Sequence, residues 1–230
     1  MSDIYTNDTY IINNPGWHSE DSSWKANQIQ QLLIRNRVHA VSVCEVGCGA
    51  GQILKELSLK ISGDIFSGYE TSPQAYEICK TKKTKKVNFF KKNITEEAVF
   101  FDLLLCIDVF EHVPDYIGFI EKLKNKAIYK VFHIPLDITV LSVIRGSFIK
   151  SRYKVGHLHY FTFETAIATL EDAGYEVIDF FYTKSYECSK NKKIGLIIKA
   201  LNFIRFLMFL ISPHWGVRFL GGGSLIVLTK

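Results

Sequence analysis

Cysteine is scarce in this chain and poorly placed for cross-linking. The five cysteines, Cys44, Cys48, Cys79, Cys106 and Cys188, are odd in number and scattered, with no Cys-x-x-Cys pair. Neither a disulfide framework nor a zinc knuckle is indicated, and a reducing cytoplasm is the expected setting. A Gly-x-Ser-x-Gly nucleophile elbow and a phosphate-cradling Gly-x-x-x-x-Gly-Lys-Ser/Thr loop are also missing, which sets aside two common enzyme classes. The first eight residues lack the basic head and apolar stretch of a secretory leader, so export is not expected. Charged residues reach only 22% against 47% hydrophobic, a globular rather than a disordered balance. A length of 230 residues fits one large domain. The net charge of +5 is modest, and no aromatics interleave Lys82 to Lys86. The lysines of 80–92 therefore read as a solubilising surface, and no nucleic acid is expected as a partner.

What is present is an alternation of short apolar runs with helical patterns, the signature of strand-helix-strand units and a doubly wound parallel sheet. Strands are expected near 41–46, 65–69, 87–90, 101–107, 129–134, 175–182 and 224–229. Between them, residues 51–61 place Ile53, Leu54, Leu57 and Ile61 on one helical face, Ser72-Pro73 opens another helix, and Thr162 to Ala173 forms one that stops at Gly174. Residues 1–40 read as an N-terminal helical lid or extension, with Ser22 or Ser23 capping a helix that carries Ile29, Leu32 and Leu33. The domain proper, 41–230, carries insertions at 135–160 and 184–223, where acceptor choice is expected to reside. Ile194 to Ile211 is almost continuously apolar. Lys192, Gly195, Lys199, Asn202 and Arg205 nevertheless share one arc of the wheel, which predicts an amphipathic helix rather than a spanning one. Its apolar arc is expected to pack against protein, capping the site or dimerising. The alternative is peripheral contact with an anionic membrane at the inner face, with Lys190, Lys192, Lys193, Lys199 and Arg205 at the headgroups.

The chemistry concentrates at three strand tips. The first strand ends in Glu45 and runs into Gly47, Gly49 and Gly51, a sharp turn at which backbone approaches a ligand. The Gly-x-Gly-x-Gly spacing differs from the dinucleotide Gly-x-Gly-x-x-Gly. Glu70 closes the second strand, nineteen residues past Gly51, in the register of a ribose clamp. The fourth strand delivers Asp108, Glu111 and His112 abruptly at its tip, facing the same crevice as the glycine loop; the plainer reading has Glu111 and His112 only satisfying the next helix start.

Together Glu45-Val46-Gly47-Cys48-Gly49-Ala50-Gly51, Glu70 with Ser72-Pro73, Asn93-Ile94, and Asp108 through Asp115 resemble the class I S-adenosylmethionine-dependent methyltransferase family, in its O-methyltransferase-like branch. The likeness covers about 41–183 plus the last strand. It implies a seven-stranded, mostly parallel Rossmann-like sheet with an antiparallel last strand and helices on both faces, and S-adenosylmethionine as cofactor. It further implies that Glu45 and Gly47 lie near the methionine moiety, that Glu70 holds the ribose, that Asn93 and Ile94 border the adenine, and that Asp108 lies near the donor's amino group.

The expected reaction is O-methylation of a small-molecule or glycan-precursor acceptor, anionic through a phosphate or nucleotide link, as in polysaccharide biosynthesis. Histidine suits proton removal near neutral pH, and the candidates are His112, His133, His157 and His159, with His112 and His157 first. Arg145, Lys150, Arg152 and Lys154 face a single acid, Asp137, over 137–160. Arg145 and Arg152, with His159 and Tyr160, are the expected acceptor contacts. No metal is assigned, although Asp108, Glu111 and His112 stand close enough to ligate a divalent cation, as in some quinone-pathway O-methyltransferases that the segment resembles. A monomer or a homodimer fits the sequence equally. The rival readings are an NAD-dependent oxidoreductase and a non-catalytic donor-binding or interaction protein.

Overall fold

The computed structural model describes residues 5, 9–17, 19–191 and 195–230. Among these, strands β1 (Ser42–Val46), β2 (Ile65–Tyr69), β3 (Val87–Phe90), β4 (Phe101–Ile107), β5 (Ala127–Pro135), β6 (Val177–Thr183) and β7 (Ser224–Thr229) form one sheet in the order β3-β2-β1-β4-β5-β7-β6. Strands β1 to β5 pair in parallel, and β7 runs antiparallel to both β5 and β6. The central strands are unbroken apolar runs because helices cover both faces. On one face α2 (Ser22–Arg35), α3 (Gln52–Ser58) and α4 (Pro73–Cys79) follow a short α1 (Thr9–Asn13). There Ile29, Leu32 and Leu33 of α2 bury against Val43, Leu54, Leu57 and Leu103. On the other face α5 (Tyr116–Leu123) contributes Ile120 and Leu123 beside Phe132, Ile134 and Val227.

Local chemistry explains most helix ends. Ser72 caps α4 by accepting the Ala75 N–H, with Pro73 at the first helical position. One expectation needs correction: neither Ser22 nor Ser23 caps α2, since Asp21 occupies the cap position and its side chain makes no cap hydrogen bond.

The insertion after β5 holds α6 (Val140–Ile144) and α7 (Ser147–Lys154), followed by α8 (Phe163–Asp172). A Thr162–Thr165 capping box starts α8, and Gly174, at φ +81°, follows its end. The insertion between β6 and β7 holds α9 (Leu196–Ile211) and α10 (Pro213–Leu220), and α10 packs on both α9 and α6. The two insertions therefore meet. Lys192, Lys193 and Ile194 lie outside the described residues. None of the described α9 residues is fully buried; Phe209 packs on the core, Leu201 and Met208 are half-buried, and most of the other apolar side chains are exposed.

Candidate functional site

Strand β1 lies between β2 and β4, so the order of connections reverses at its tip, and in open parallel sheets a crevice forms there. The turn after β1 holds Gly47, Gly49 and Gly51 at φ +60°, +53° and +72°. At Gly51 a Cβ would stand 2.5 Å from Phe89 Cε1 and 2.8 Å from Cys79 Cβ, both anchored in the core. Gly51→Ala combines left-handed strain with overpacking and is expected to lower stability by at least about 2 kcal/mol, read from urea denaturation. Gly49 differs: its open side faces the ring of Trp17, 3.8 Å away.

Glu70, at the tip of β2, is buried and ties this turn down. One carboxylate oxygen accepts the Gly49 N–H at 2.8 Å, and the other accepts Thr71 N–H at 2.8 Å and Ser72 N–H at 2.7 Å. Burial raises its pKa while the three amides pull it down. A carboxylate has about four acceptor positions, so a place remains for a sugar hydroxyl. Glu45, at the end of β1, is buried with Oε2 unpartnered among the described residues. Burial pushes its pKa up to about 8, against the attraction of Lys25.

At the tip of β4, Asp108 adopts φ +53° and donates its N–H to the His133 carbonyl at 3.0 Å. Its carboxylate binds Lys25 of α2 at 2.7 Å and His133 Nδ1 at 2.6 Å, and His133 Nε2 meets Thr183 Oγ1 at 2.9 Å. Burial opposes its ionisation, but His133 and Lys25 outweigh it and hold the carboxyl well below its usual range. Gly49, Glu70 and Asp108 thus share the same edge of three adjacent strands. Asn93 caps the turn Ile94–Glu96, accepting the Thr95 N–H, and Ile94 is fully buried in the core with Tyr69 and Phe101.

The first insertion lies against the β4 tip. Leu158 and His159 donate their N–H groups to the Glu111 carbonyl at 2.9 and 3.0 Å, pinning the Gly156–Tyr160 loop to the β4 tip. His157 Nδ1 lies 2.5 Å from Asp137 Oδ2, so the Asp137 carboxylate fixes the proton on Nδ1 and leaves Nε2 as the acceptor. The His112 ring stands 4.9 Å from that of His157. Its Nδ1 faces the Gly156 carbonyl at 3.1 Å and the Tyr5 hydroxyl at 2.8 Å, while Tyr5 donates to the Val155 carbonyl at 2.7 Å. Burial, with His157 adding, pushes the His112 pKa down to about 4, so its ring is neutral at pH 7. Glu111 is fully buried with neither carboxylate oxygen hydrogen-bonded among the described residues.

Among the described residues, Glu111, His112 and His157 offer ligand atoms within 4.8 Å of one another, a set able to hold a divalent cation. Asp108 is not part of it, contrary to the spacing-based expectation, because Lys25 and His133 engage its carboxylate.

His159 Nε2 bonds the Val113 and Pro114 carbonyls at 3.0 and 3.2 Å, and the Tyr160 hydroxyl bonds the Phe148 and His157 carbonyls at 2.9 and 3.0 Å. Both brace the loop. Arg152 lies beside the Tyr160 hydroxyl, and Arg145 is the exposed C-cap of α6. A cleft of ≈ 420 Å³ opens between the N-terminal segment and α7, lined by Asn13, Gly16, Glu20, Lys150 and Lys154 among others; neither arginine lines it. Above the glycine turn the rings of Tyr5, Tyr10 and Trp17 cluster at 4.6 to 6.4 Å between centroids, tilted by 43° to 52°. Sequence reasoning missed Lys25, Asp137 and this aromatic cluster. Only Asp137 carried a signal, as an acid two residues beyond a buried strand.

The chain matches the model of a methyltransferase domain over residues 17–179 and belongs to that family. A ubiquinone biosynthesis O-methyltransferase of Nitrosospira multiformis is 33% identical over 86 residues, 34% of this chain and 35% of that protein. The match thus spans about a third of that relative's length. The fold is also that of an S-adenosylmethionine-dependent methyltransferase from Geobacter sulfurreducens crystallised with S-adenosyl-L-homocysteine, with a TM-score of 0.66, 14% identity, and 97% and 98% of the two chains covered. The magnesium protoporphyrin IX methyltransferase of Synechocystis PCC 6803, also with bound S-adenosylhomocysteine, gives 0.60 at 14% identity over 90% and 82%.

Proposed function

We propose that this methyltransferase moves the methyl group of S-adenosylmethionine to an oxygen of a small anionic acceptor, with His157 as the proton acceptor. The observation that carries this reading is the buried carboxylate of Glu45, unpartnered beside a glycine turn that Glu70 already grips. A buried carboxyl left without a partner calls for one, and the donor's ammonium and sulfonium are cations that would favour its ionised form. Glu70 retains acceptor capacity for ribose hydroxyls, and Tyr5, Tyr10 and Trp17 form the roof of an N-terminal lid. When bound, the donor supplies a methyl already attached to a good leaving group, so the protein's task is to orient the acceptor and exclude water. Asp137 holds the His157 ring so that Nε2 takes the acceptor's hydroxyl proton. Lys150 and Lys154 in the cleft suit a phosphate- or nucleotide-linked sugar, a glycan precursor. The similarity to a relative named as an O-methyltransferase supports oxygen as the acceptor atom.

Calorimetry with S-adenosylhomocysteine is expected to give saturable one-site binding, and NAD none; the reverse overturns the reading in favour of an oxidoreductase. Donor binding without turnover of any hydroxyl acceptor favours a binding protein. A pH dependence follows from Glu45. Below about pH 8 its carboxyl is neutral, and a cationic donor binds the ionised form. Affinity for S-adenosylmethionine is therefore expected to rise with pH by up to about tenfold per unit from pH 6 and to level off above about 8. The donor's own ammonium titrates in the same range. The quantity to measure is therefore the ratio of wild-type to Glu45→Gln affinities, in which that contribution cancels.

A further inference from the structure

Helix α9 is inside out for a protein surrounded only by water. Asn202 and Arg205 of its polar arc turn inward, the Arg205 guanidinium donating to the Leu220 carbonyl at 3.1 and 2.8 Å and to Asn202 Oδ1 at 2.9 Å, while Lys199 stays exposed. Its apolar arc turns outward, with Leu196 82%, Phe203 62%, Leu210 66% and Ile211 81% exposed. Trp215 and Phe219 of α10, which packs on α9, and Val143 and Ile144 of α6, which packs on α10, are exposed too. Monomeric proteins rarely leave so continuous an apolar patch in water.

Charge identifies what covers it. The sequence holds no Asp or Glu from 138 to 163, nor from 188 to 230. The described cations on α9 and α10 include Lys199 and Arg218, both exposed, and Arg145 at the end of α6 is close enough to Arg205 for the charges to be felt. Arg218 also engages Glu164, at the start of α8. A second copy on this face would bring together two surfaces whose only acid contact among the described residues is Glu164 against several cations, which like-charge repulsion disfavours. An anionic lipid surface matches both features, apolar side chains entering the acyl boundary and cations meeting the headgroups. Helix α9 has 16 residues, about 24 Å at 1.5 Å each, which is short of a bilayer's roughly 30 Å core. No helix among the described residues is long and apolar enough to cross a membrane.

We propose that the platform of α9, α10 and α6 docks the protein in the plane of an anionic bilayer. This goes beyond the methyl-transfer reading and does not depend on it. The test is flotation of the full chain with vesicles of phosphatidylcholine alone or with phosphatidylglycerol. Binding at least tenfold tighter to the anionic vesicles, weakened at 0.5 M salt and abolished in a folded Phe203→Glu, Leu207→Glu variant that still binds S-adenosylhomocysteine, is the expected result. No flotation with anionic vesicles overturns the proposal, as does undiminished flotation of the variant. A lipid-free dimer in sedimentation velocity that the same substitutions dissociate overturns it too, in favour of a second copy.

Discussion

His157→Ala is expected to lower kcat by about 10² to 10⁴-fold, the span a positioned base contributes, while the dissociation constant for S-adenosylhomocysteine changes less than threefold. The split follows from position. His157 sits on the Gly156–Tyr160 loop, held by the Glu111 carbonyl, and in the proposed reaction it serves the acceptor, whereas the donor is proposed to rest on the tips of β1 and β2. Asp137→Asn tests the mechanism more finely. An amide at that place hydrogen-bonds either ring nitrogen and no longer fixes the tautomer, so kcat falls nearly as far with the imidazole still present. A kcat within threefold of wild type in both variants would remove His157 from the chemistry and leave neutral His112, 4.9 Å away, as the base. Burst or single-turnover measurements are needed beside steady-state rates, because slow product release masks a lesion in the chemical step.

Lys25→Met is the variant expected to hurt the fold most. Lys25 descends from α2 onto Asp108, a residue held at φ +53°, and with His133 keeps that carboxylate ionised. Removing one member of such a pair strands the other, which costs roughly 3 to 5 kcal/mol in buried settings. Asp108 is a quarter exposed and keeps His133, so the lower end, roughly 3 kcal/mol, is expected. For a chain of this size that corresponds to a drop in Tm of roughly 6 to 12 °C by calorimetry. The double variant Lys25→Met, Asp108→Asn is expected to recover about half of the loss, since no charge is then stranded. A double variant no better than Lys25→Met would show that the stem of Lys25, not its charge, is what matters.

The strands were legible because fully covered parallel strands leave a coarse signature, a short apolar run closed by a polar tip. Each predicted strand lies within about two residues of its observed bounds, and the convergence of Gly49, Glu70 and Asp108 followed from connectivity alone. Interactions that cross the chain left no such trace. Nothing local marks Lys25 as the partner of Asp108, 83 positions further on; Tyr5 meets His112 across 107 positions. Asp137 was legible as an acid but not as the orienting partner of a histidine twenty residues away. The amphipathic character of α9 was readable from its wheel. Which arc would face the protein was not, because a hydrophobic pattern gives a direction without saying which environment lies along it.

The excursion that carries α9 and α10 leaves the sheet at Thr183 and re-enters at Ser224, and these two residues are cross-strand partners. Its ends are therefore already joined at a hairpin's width. Since the entropy of closing a loop grows only with the logarithm of its length, an appendage of this size costs only about 2 to 3 kcal/mol more to close than a tight turn would. The exposed residues of α9 can therefore be changed without disturbing the sheet, whereas Val217 of α10, buried in the core with Ile134 and Val227, is a fixed anchor of the excursion.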